Sequence, residues 1–246
     1  MSASTAVLKA ESRLFLREPF TLFWIVGFPA LLVAILGLIP SFREVSEGLG
    51  GRRVIDLYVP IGVLLAMIVA GIQGLPPVLS GYRENGILRR MSTTPVRAGS
   101  LLAAQIVLHA ACAVGSAALV IAVGRAAFGV PFPEHVPGYL AALLLAVLSA
   151  IATGAAVAAV SPNTKVTAVV GSIVFFPSMF TAGVWAPVQV LPPLLQDIVE
   201  FSPFGAASQA LDQASRGAWP DWSLLAVIAL WTVALVVAAV RWFRWE

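Results

Sequence analysis

Side chains able to do chemistry are scarce in this chain of 246 residues, and the densest group of them is one short stretch. It reads Arg83-Glu84-Asn85-Gly86-Ile87-Leu88-Arg89-Arg90-Met91-Ser92-Thr93-Thr94-Pro95 and lies between two long apolar runs. Glu84 is placed to open a short helical turn, because a carboxylate is favoured at the positive N-terminal end of a helix. Arg89 and Arg90 suit the negative end, Pro95 stops the turn, and Thr93 or Thr94 can cap the next helix. Ile87, Leu88 and Met91 are then apolar groups on a water-facing turn. Two readings fit that pattern. One is a docking element for a partner's groove; the other is a basic loop that only fixes orientation, its apolar residues resting on the membrane.

Other chemistry is hard to assemble. His109 is the one side chain of near-neutral pKa inside an apolar run, and its spacing from His135 suits no metal motif. A lone histidine there reads as a group hydrogen-bonded to a neighbouring helix rather than a proton relay. Cys112 is the sole cysteine, so neither a disulfide nor a cysteine metal site can form within the chain. There is no paired carboxylate, no Ser-His-Asp set that could meet on one side, and no Gly-rich phosphate loop ending in Lys. The chain therefore reads as a non-enzyme that binds no cofactor itself. Any uphill work must draw its energy from a partner.

The elements that position this stretch follow from composition. The chain is 59% hydrophobic and 11% charged, with a mean hydropathy of +0.93, whereas soluble domains carry about a quarter charged residues. Six uncharged runs cover Phe20–Ile39, Leu57–Leu79, Leu101–Val123, Tyr139–Val160, Val166–Trp185 and Trp222–Val240. Each is close to the ~20 residues that cross a bilayer as a helix. Pro29, Pro60, Pro76, Pro77 and Pro177 interrupt or end several of them, which is tolerated where neighbouring helices or a cavity satisfy the freed backbone. The first run lacks a small-residue cleavage site and reads as a retained span rather than a signal peptide. The expected fold is an all-α membrane protein forming one domain over 1–246. Its parts are an interfacial helix (1–19), spans one to five (20–185), an outer re-entrant segment (186–221), and span six with a tail (222–246).

Before the first span, Lys9, Arg13 and Arg17 recur at helical spacing, with Val7, Leu8, Leu14 and Phe15 opposite. That pattern predicts an interfacial helix with its cations toward anionic lipid, although Glu11 and Glu18 interrupt the apolar side. A basic tail that merely sets orientation is the alternative. Orientation follows the basic residues. With a cytoplasmic N-terminus, Lys9, Arg13, Arg17, Arg83, Arg89, Arg90, Arg97, Lys165, Arg241 and Arg244 lie inside, against Arg43, Arg52, Arg53, Arg125 and Arg216 outside. Arg52 and Arg53, beside the second span, run against the trend. Trp24, Trp185, Trp219, Trp222, Trp242 and Trp245 fall near span ends, as interfacial anchors should. Ser161 to Lys165 makes a tight inner turn. Ala186 to Asp221 is semi-apolar and cut by Pro187, Pro192, Pro193 and Pro203. Two short helices are expected there, at Pro192–Glu200 and Phe204–Arg216, dipping back into the membrane against protein.

Two places give the sequence a family resemblance. Glu84 to Pro95 looks like an acidic-x-Gly-apolar-apolar-basic run ending in Thr-Pro. After the fifth span come Phe180-Thr181-Ala182-Gly183-Val184-Trp185-Ala186-Pro187, Leu191-Pro192 and Phe201-Ser202-Pro203-Phe204. With the order of elements, they resemble the membrane subunits of ABC-2 type transporters, and among these the daunorubicin-resistance-like drug efflux group. Ser202 stands where Asn is commoner, Thr181-Ala182-Gly183 replaces a Ser-Gly step, and Gly205-Ala206 replaces an aromatic.

The resemblance implies that Glu84, Asn85, Gly86, Ile87, Leu88, Arg89, Arg90 and Met91 form a coupling helix. It would seat in a separate ABC ATP-binding subunit, which would hold the ATP and magnesium. Two permease subunits, identical or related, would pair over two such ATPases. A path lined by spans two and five would carry Met67, Gln73, Phe176, Met179 and Phe180, and the outer helices would form a lid over its exit. Met and aromatic groups adapt to varied apolar shapes, so a hydrophobic or amphipathic compound is the expected cargo, with polysaccharide or glycolipid export as the alternative. The expected setting is a bacterial plasma membrane, both termini cytoplasmic and no nucleic-acid partner. Arg far outnumbering Lys, with abundant Ala, hints at a GC-rich bacterial genome. Two other classes compete. A membrane-embedded lipid-modifying enzyme would need a polar catalytic set at one membrane face. An anchoring subunit would use the same loop and move nothing.

Overall fold

The computed structural model describes residues 3–87, 90 and 98–242. Helix α1 (Ala3–Phe15) precedes the first span, α2 (Pro19–Gly37). A short antiparallel pair, β1 (Val45–Ser46) and β2 (Arg52–Arg53), leads into α3 (Val54–Glu84). Next come α4 (Ala98–Phe128), α5 (Val136–Val160) and α6 (Thr164–Thr181). The short helices α7 (Pro193–Glu200) and α8 (Pro203–Ser215) come after them, then α9 (Trp222–Trp242). Six helices, α2 to α6 and α9, are long and apolar enough to cross a membrane. The protein is thus all-α apart from that small hairpin.

The second span is the mast of the bundle. In α3, 94% of the apolar window is buried, against 28% in α2 and α4 and 22% in α6 and α9, so the outer helices pack around it and turn wide faces to lipid. It crosses α5 with backbones in contact. A Cβ on Gly154 would lie 1.8 Å from the Gly71 carbonyl oxygen, and one on Gly71 would lie 2.3 Å from that of Ala150. Only glycine fits at either place. Ala142, Ala146, Ala150 and Gly154 recur every fourth residue and are all buried, the small-residue spacing that lets membrane helices approach closely. The sixth span α9 lies along α5.

Pro29, Pro76 and Pro77 do not end their helices. The turn before them widens into a π-helical stretch, at Phe23–Gly27 in α2 and Val69–Gly74 in α3. Proline lacks an N–H and crowds the carbonyl four residues back, and one extra residue in the turn absorbs both defects. Pro60 and Pro177 lie inside α3 and α6.

Lys9 and Arg13 on α1, and Arg17 just beyond its end, face the exterior, while Phe15 is buried edge-on against His109, with ring centroids 5.1 Å apart. Glu11, which breaks the apolar side of the helical wheel, faces the bundle. Its carboxylate accepts from the Tyr82 hydroxyl at 2.5 Å and from Gln105 Nε2 at 2.6 Å.

The segment after the fifth span re-enters the bundle. Trp231 Nε1 donates to the Phe201 carbonyl at 2.8 Å, and Phe201 is the junction of α7 and α8. Trp231 stands about nine residues into α9, or ~13 Å at 1.5 Å per residue. The two short helices therefore dip well below the end of α9. Ser202 caps α8, its Oγ accepting from the Gly205 N–H at 3.1 Å, the service Asn gives at such a position. A Cβ at Gly205 would lie 2.1 Å from the Val199 carbonyl oxygen, so no aromatic can stand there.

All the ion pairs among the described residues gather at the face of the bundle opposite the N-terminus. Arg52 meets Asp212 at 2.6 Å, Arg216 lies 2.9 Å from the same carboxylate, and Arg53 meets Asp56 at 2.6 Å. Arg53 also donates to the Phe128 carbonyl at the end of α4, at 2.9 Å. The two arginines that run against the orientation count are thus neutralised by carboxylates and a helix end.

Candidate functional site

The stretch that dominates the sequence begins as the last turn of α3, which corrects one expectation. Glu84 does not open a turn; it is the final residue of the span. Gly86, at φ +65°, ends the helix, with its N–H donating to the Arg83 carbonyl at 2.9 Å. Glycine is the residue for that left-handed position. Helical structure resumes at Ile87, and the Arg90 N–H donates to the Gly86 carbonyl at 3.1 Å. Arg90 Nη2 also reaches back to the Asn85 carbonyl at 3.0 Å. Leu88, Arg89 and Met91 lie outside the described residues.

The Glu84 carboxylate does sit at a helix N-terminus, but a different one. It accepts from the Thr164 N–H at 3.1 Å and from Thr164 Oγ1 at 2.8 Å, at the first residue of α6. Arg83 donates to the carbonyls of Ala158 (3.0 Å) and Ser161, at the end of α5. Ser80 and Thr167 share a hydrogen bond of 2.6 Å. Because Thr167 Oγ1 gives its proton to the Asn163 carbonyl, Ser80 is the donor. Residues 80, 83 and 84 share one helical face, and that face grips the turn between the fourth and fifth spans. Tyr82, which points another way, holds Glu11 and Gln105.

A groove of about 1020 Å³ opens beside this turn. Its floor is α3 at Val69, Gln73, Gly74, Pro77 and Tyr82. One wall is α2 at Phe20, Trp24 and Phe28; the other is α6 at Phe175, Phe176 and Met179. It runs from Arg17, Asn85 and Ile87 at the N-terminal face to Trp185 at the opposite one, and both π-helical turns border it. Of the path residues expected from sequence, Gln73, Phe176 and Met179 line the groove together. Met67 does not: it is fully buried in the mast, with 0% exposure. Phe180 is exposed on α6 but stands outside the lining. The first span's contribution escaped the sequence reading. Its signal is the spacing of Phe20, Trp24 and Phe28, which follow one another along one face, edge-on and then tilted, with successive centroids 6.0 and 4.9 Å apart.

The profile of the ABC-2 type transporter family matches residues 3–214, from α1 through nearly all of α8. The chain belongs to that family. Membership makes it the membrane permease subunit of an ABC transporter, a transport component and not a catalytic one, working with an ATP-binding partner. No curated protein matches the sequence.

Proposed function

We propose that residues 1–246 act as one transmembrane domain that exports a hydrophobic or amphipathic compound, a drug or lipid-like molecule, across a bacterial plasma membrane. Both termini are cytoplasmic. Two copies, or this chain and a relative, pair over two ABC ATP-binding subunits, which hold the ATP and magnesium while this chain binds neither. Residues 84–91 are the coupling segment, with Ile87, Leu88 and Met91 as its apolar contacts. Gln73, Phe176 and Met179 belong to the path, with Trp24 and Phe28 added to them, and α7 and α8 cover its outer end.

The observation that carries this reading is the groove's continuity. Asn85 and Ile87 of the coupling segment line the same cavity as Trp24 and Phe176. Its walls are aromatic and aliphatic, which favours an apolar body over a polysaccharide chain. The free positive charge of Lys9, Arg13 and Arg17, set against the paired arginines of the opposite face, supports the orientation.

The test is co-purification with the ATP-binding subunit, followed by ATP-driven dye export in vesicles. Replacing Ile87 and Leu88 with Asp should remove the ATPase from the complex. Phe176→Ala should change export without changing assembly, while Val237→Ala on the lipid face of α9 should change neither. An ATPase that still binds the Asp variant would remove residues 84–91 from the coupling role.

A further inference from the structure

Adjacent charged residues that pair with opposite ends of two other helices are an unusual arrangement. Arg83 sits on the carbonyls that end α5, and Glu84 sits on the N–H and hydroxyl that begin α6. Each charge meets the helix end that its sign favours. These are charge-assisted hydrogen bonds, which fix direction even where, as at Glu84, water reaches the carboxylate. Ser80, one turn earlier on the same face, adds the buried bond to Thr167 of α6. Between the two capped ends lie only Pro162 and Asn163, and Asn163 itself caps α6, its Oδ1 accepting from the Val166 N–H at 2.9 Å. Gly81 packs on the same spot, its Cβ position 3.9 Å from Thr164 Cγ2.

We propose that Arg83 and Glu84 are positioning residues that transmit movement of the coupling segment to the fifth span, and that Glu84 is not a contact for the ATPase. The inference rests on the reading of residues 84–91 as the coupling segment. A displacement of Gly86 and Ile87 acts on the last turn of α3, and that turn holds α6 by its first residue. Helix α6 carries Phe175, Phe176 and Met179, one wall of the groove. The facing wall, α2, follows from α1, which the neighbouring Tyr82 holds through Glu11. One turn of α3 therefore grips α6 and, by another face, the helix that leads into α2. A stroke on the loop changes the separation of the walls without passing through the deeply packed middle of α3, which is locked to α5 at Gly71 and Gly154. The coupling route is a contiguous set of hydrogen bonds between rigid helices, with each member named.

The experiment measures the gap between the walls in the assembled transporter. Ile173 on α6 is 66% exposed, so a bimane label on I173C in a C112A background is tolerated at the bilayer side. Quenching of the label by Trp24 reports the separation of α6 from α2, and Trp24→Phe marks the quenching that belongs to this pair. In the reconstituted complex, ATP is expected to change the quenching. Thr164→Val removes the hydroxyl donor and should lose most of that change, while co-purified ATPase and its turnover stay at the level of the parent. Thr164→Ser keeps the hydroxyl and should restore the change. Glu84→Gln removes the charge that favours the start of α6 and should also weaken the ATP-dependent change in quenching. An equal ATP response in parent, Thr164→Val and Glu84→Gln complexes would overturn the transmission role alone. Loss of the ATPase from Glu84→Gln would make that residue a docking contact and also overturn it. A parent complex whose quenching ignores ATP would overturn both this inference and the coupling reading beneath it.

Discussion

The two ends of the second span use charge in different ways. Where α3 begins, Arg52 and Arg53 each meet a carboxylate, at Asp212 and Asp56, and Arg53 adds a bond to the end of α4. Where it ends, Arg83 and Glu84 ignore each other and meet the termini of other helices. At the first end, Asp212 has only 3% of its side chain exposed and two guanidiniums beside it, so the pairing is enclosed. At the second end, Glu84 is exposed and its partner belongs to a helix that otherwise faces lipid. A closed ion pair resists displacement, because separating its members strands a charge. A hydrogen bond that an exposed carboxylate accepts from a helix end costs little to shift, because water can replace it. The first arrangement suits an anchor and the second a joint.

The strongest way to break that comparison is at the anchor. Arg52→Ala leaves the Asp212 carboxylate buried with only Arg216, whose side chain is 51% exposed. The expected loss is about 2 kcal/mol of stability, toward the low side for a broken buried pair because one cation remains. Thermal unfolding in detergent should show it, and adding Asp212→Asn should recover part of the loss. Export per correctly inserted molecule should be unchanged. If export fell while the unfolding temperature held, the anchor would be a working part and the contrast would collapse.

Ser80→Ala is a milder test at the joint. The substitution removes the donor to Thr167 Oγ1, while Thr167 keeps its own bond to the Asn163 carbonyl. No donor is stranded, so the cost should be about 1 kcal/mol. The sharpening lies in the combination with Thr164→Val. If Ser80 and Thr164 belong to one grip on α6, the paired substitution should lower the ATP response more than the two single effects added together. Strict additivity would place Ser80 in the packing of the bundle alone.

The spans and the re-entrant helices were legible because a bilayer imposes a length and prolines mark the breaks. The expected short helices at Pro192–Glu200 and Phe204–Arg216 differ from α7 and α8 by no more than one residue at any end. Other prolines misled inside the spans, since Pro29 and Pro76 are absorbed by π-helical turns that no residue pattern announces. Glu84 was legible as an anion for a helix N-terminus, but its partner Thr164 lies 80 residues along the chain. Proximity in sequence offered only the wrong helix. Glu11 looked like a flaw in an amphipathic face for the same reason, with Tyr82 and Gln105 out of sight. Met67 has the chemistry of a path residue and the address of a core residue. Its burial depends on how six helices pack, not on its own neighbours.

An effect on stability no larger than that of Ser80→Ala is expected at Gly86, and it separates conformation from contact. A Cβ at this position meets nothing within 4 Å, so space is not the constraint. The constraint is φ +65°, which costs an L-residue about 1 kcal/mol. Gly86→Ala should therefore lower stability only slightly. Alanine also favours continuing the helix, which would carry α3 past Asn85 and pull Arg90 off the Asn85 carbonyl it reaches at 3.0 Å. The ATP response of the groove should fall further than that small loss of stability accounts for. Gly86→Asn tests the reason, since asparagine tolerates the left-handed region better than alanine does. An asparagine variant that responds to ATP better than the alanine one would mean that the joint needs α3 to stop at this residue. Equal responses from the two would mean that the turn's conformation is irrelevant to transmission, leaving the side chains of Arg83 and Glu84 as its whole basis.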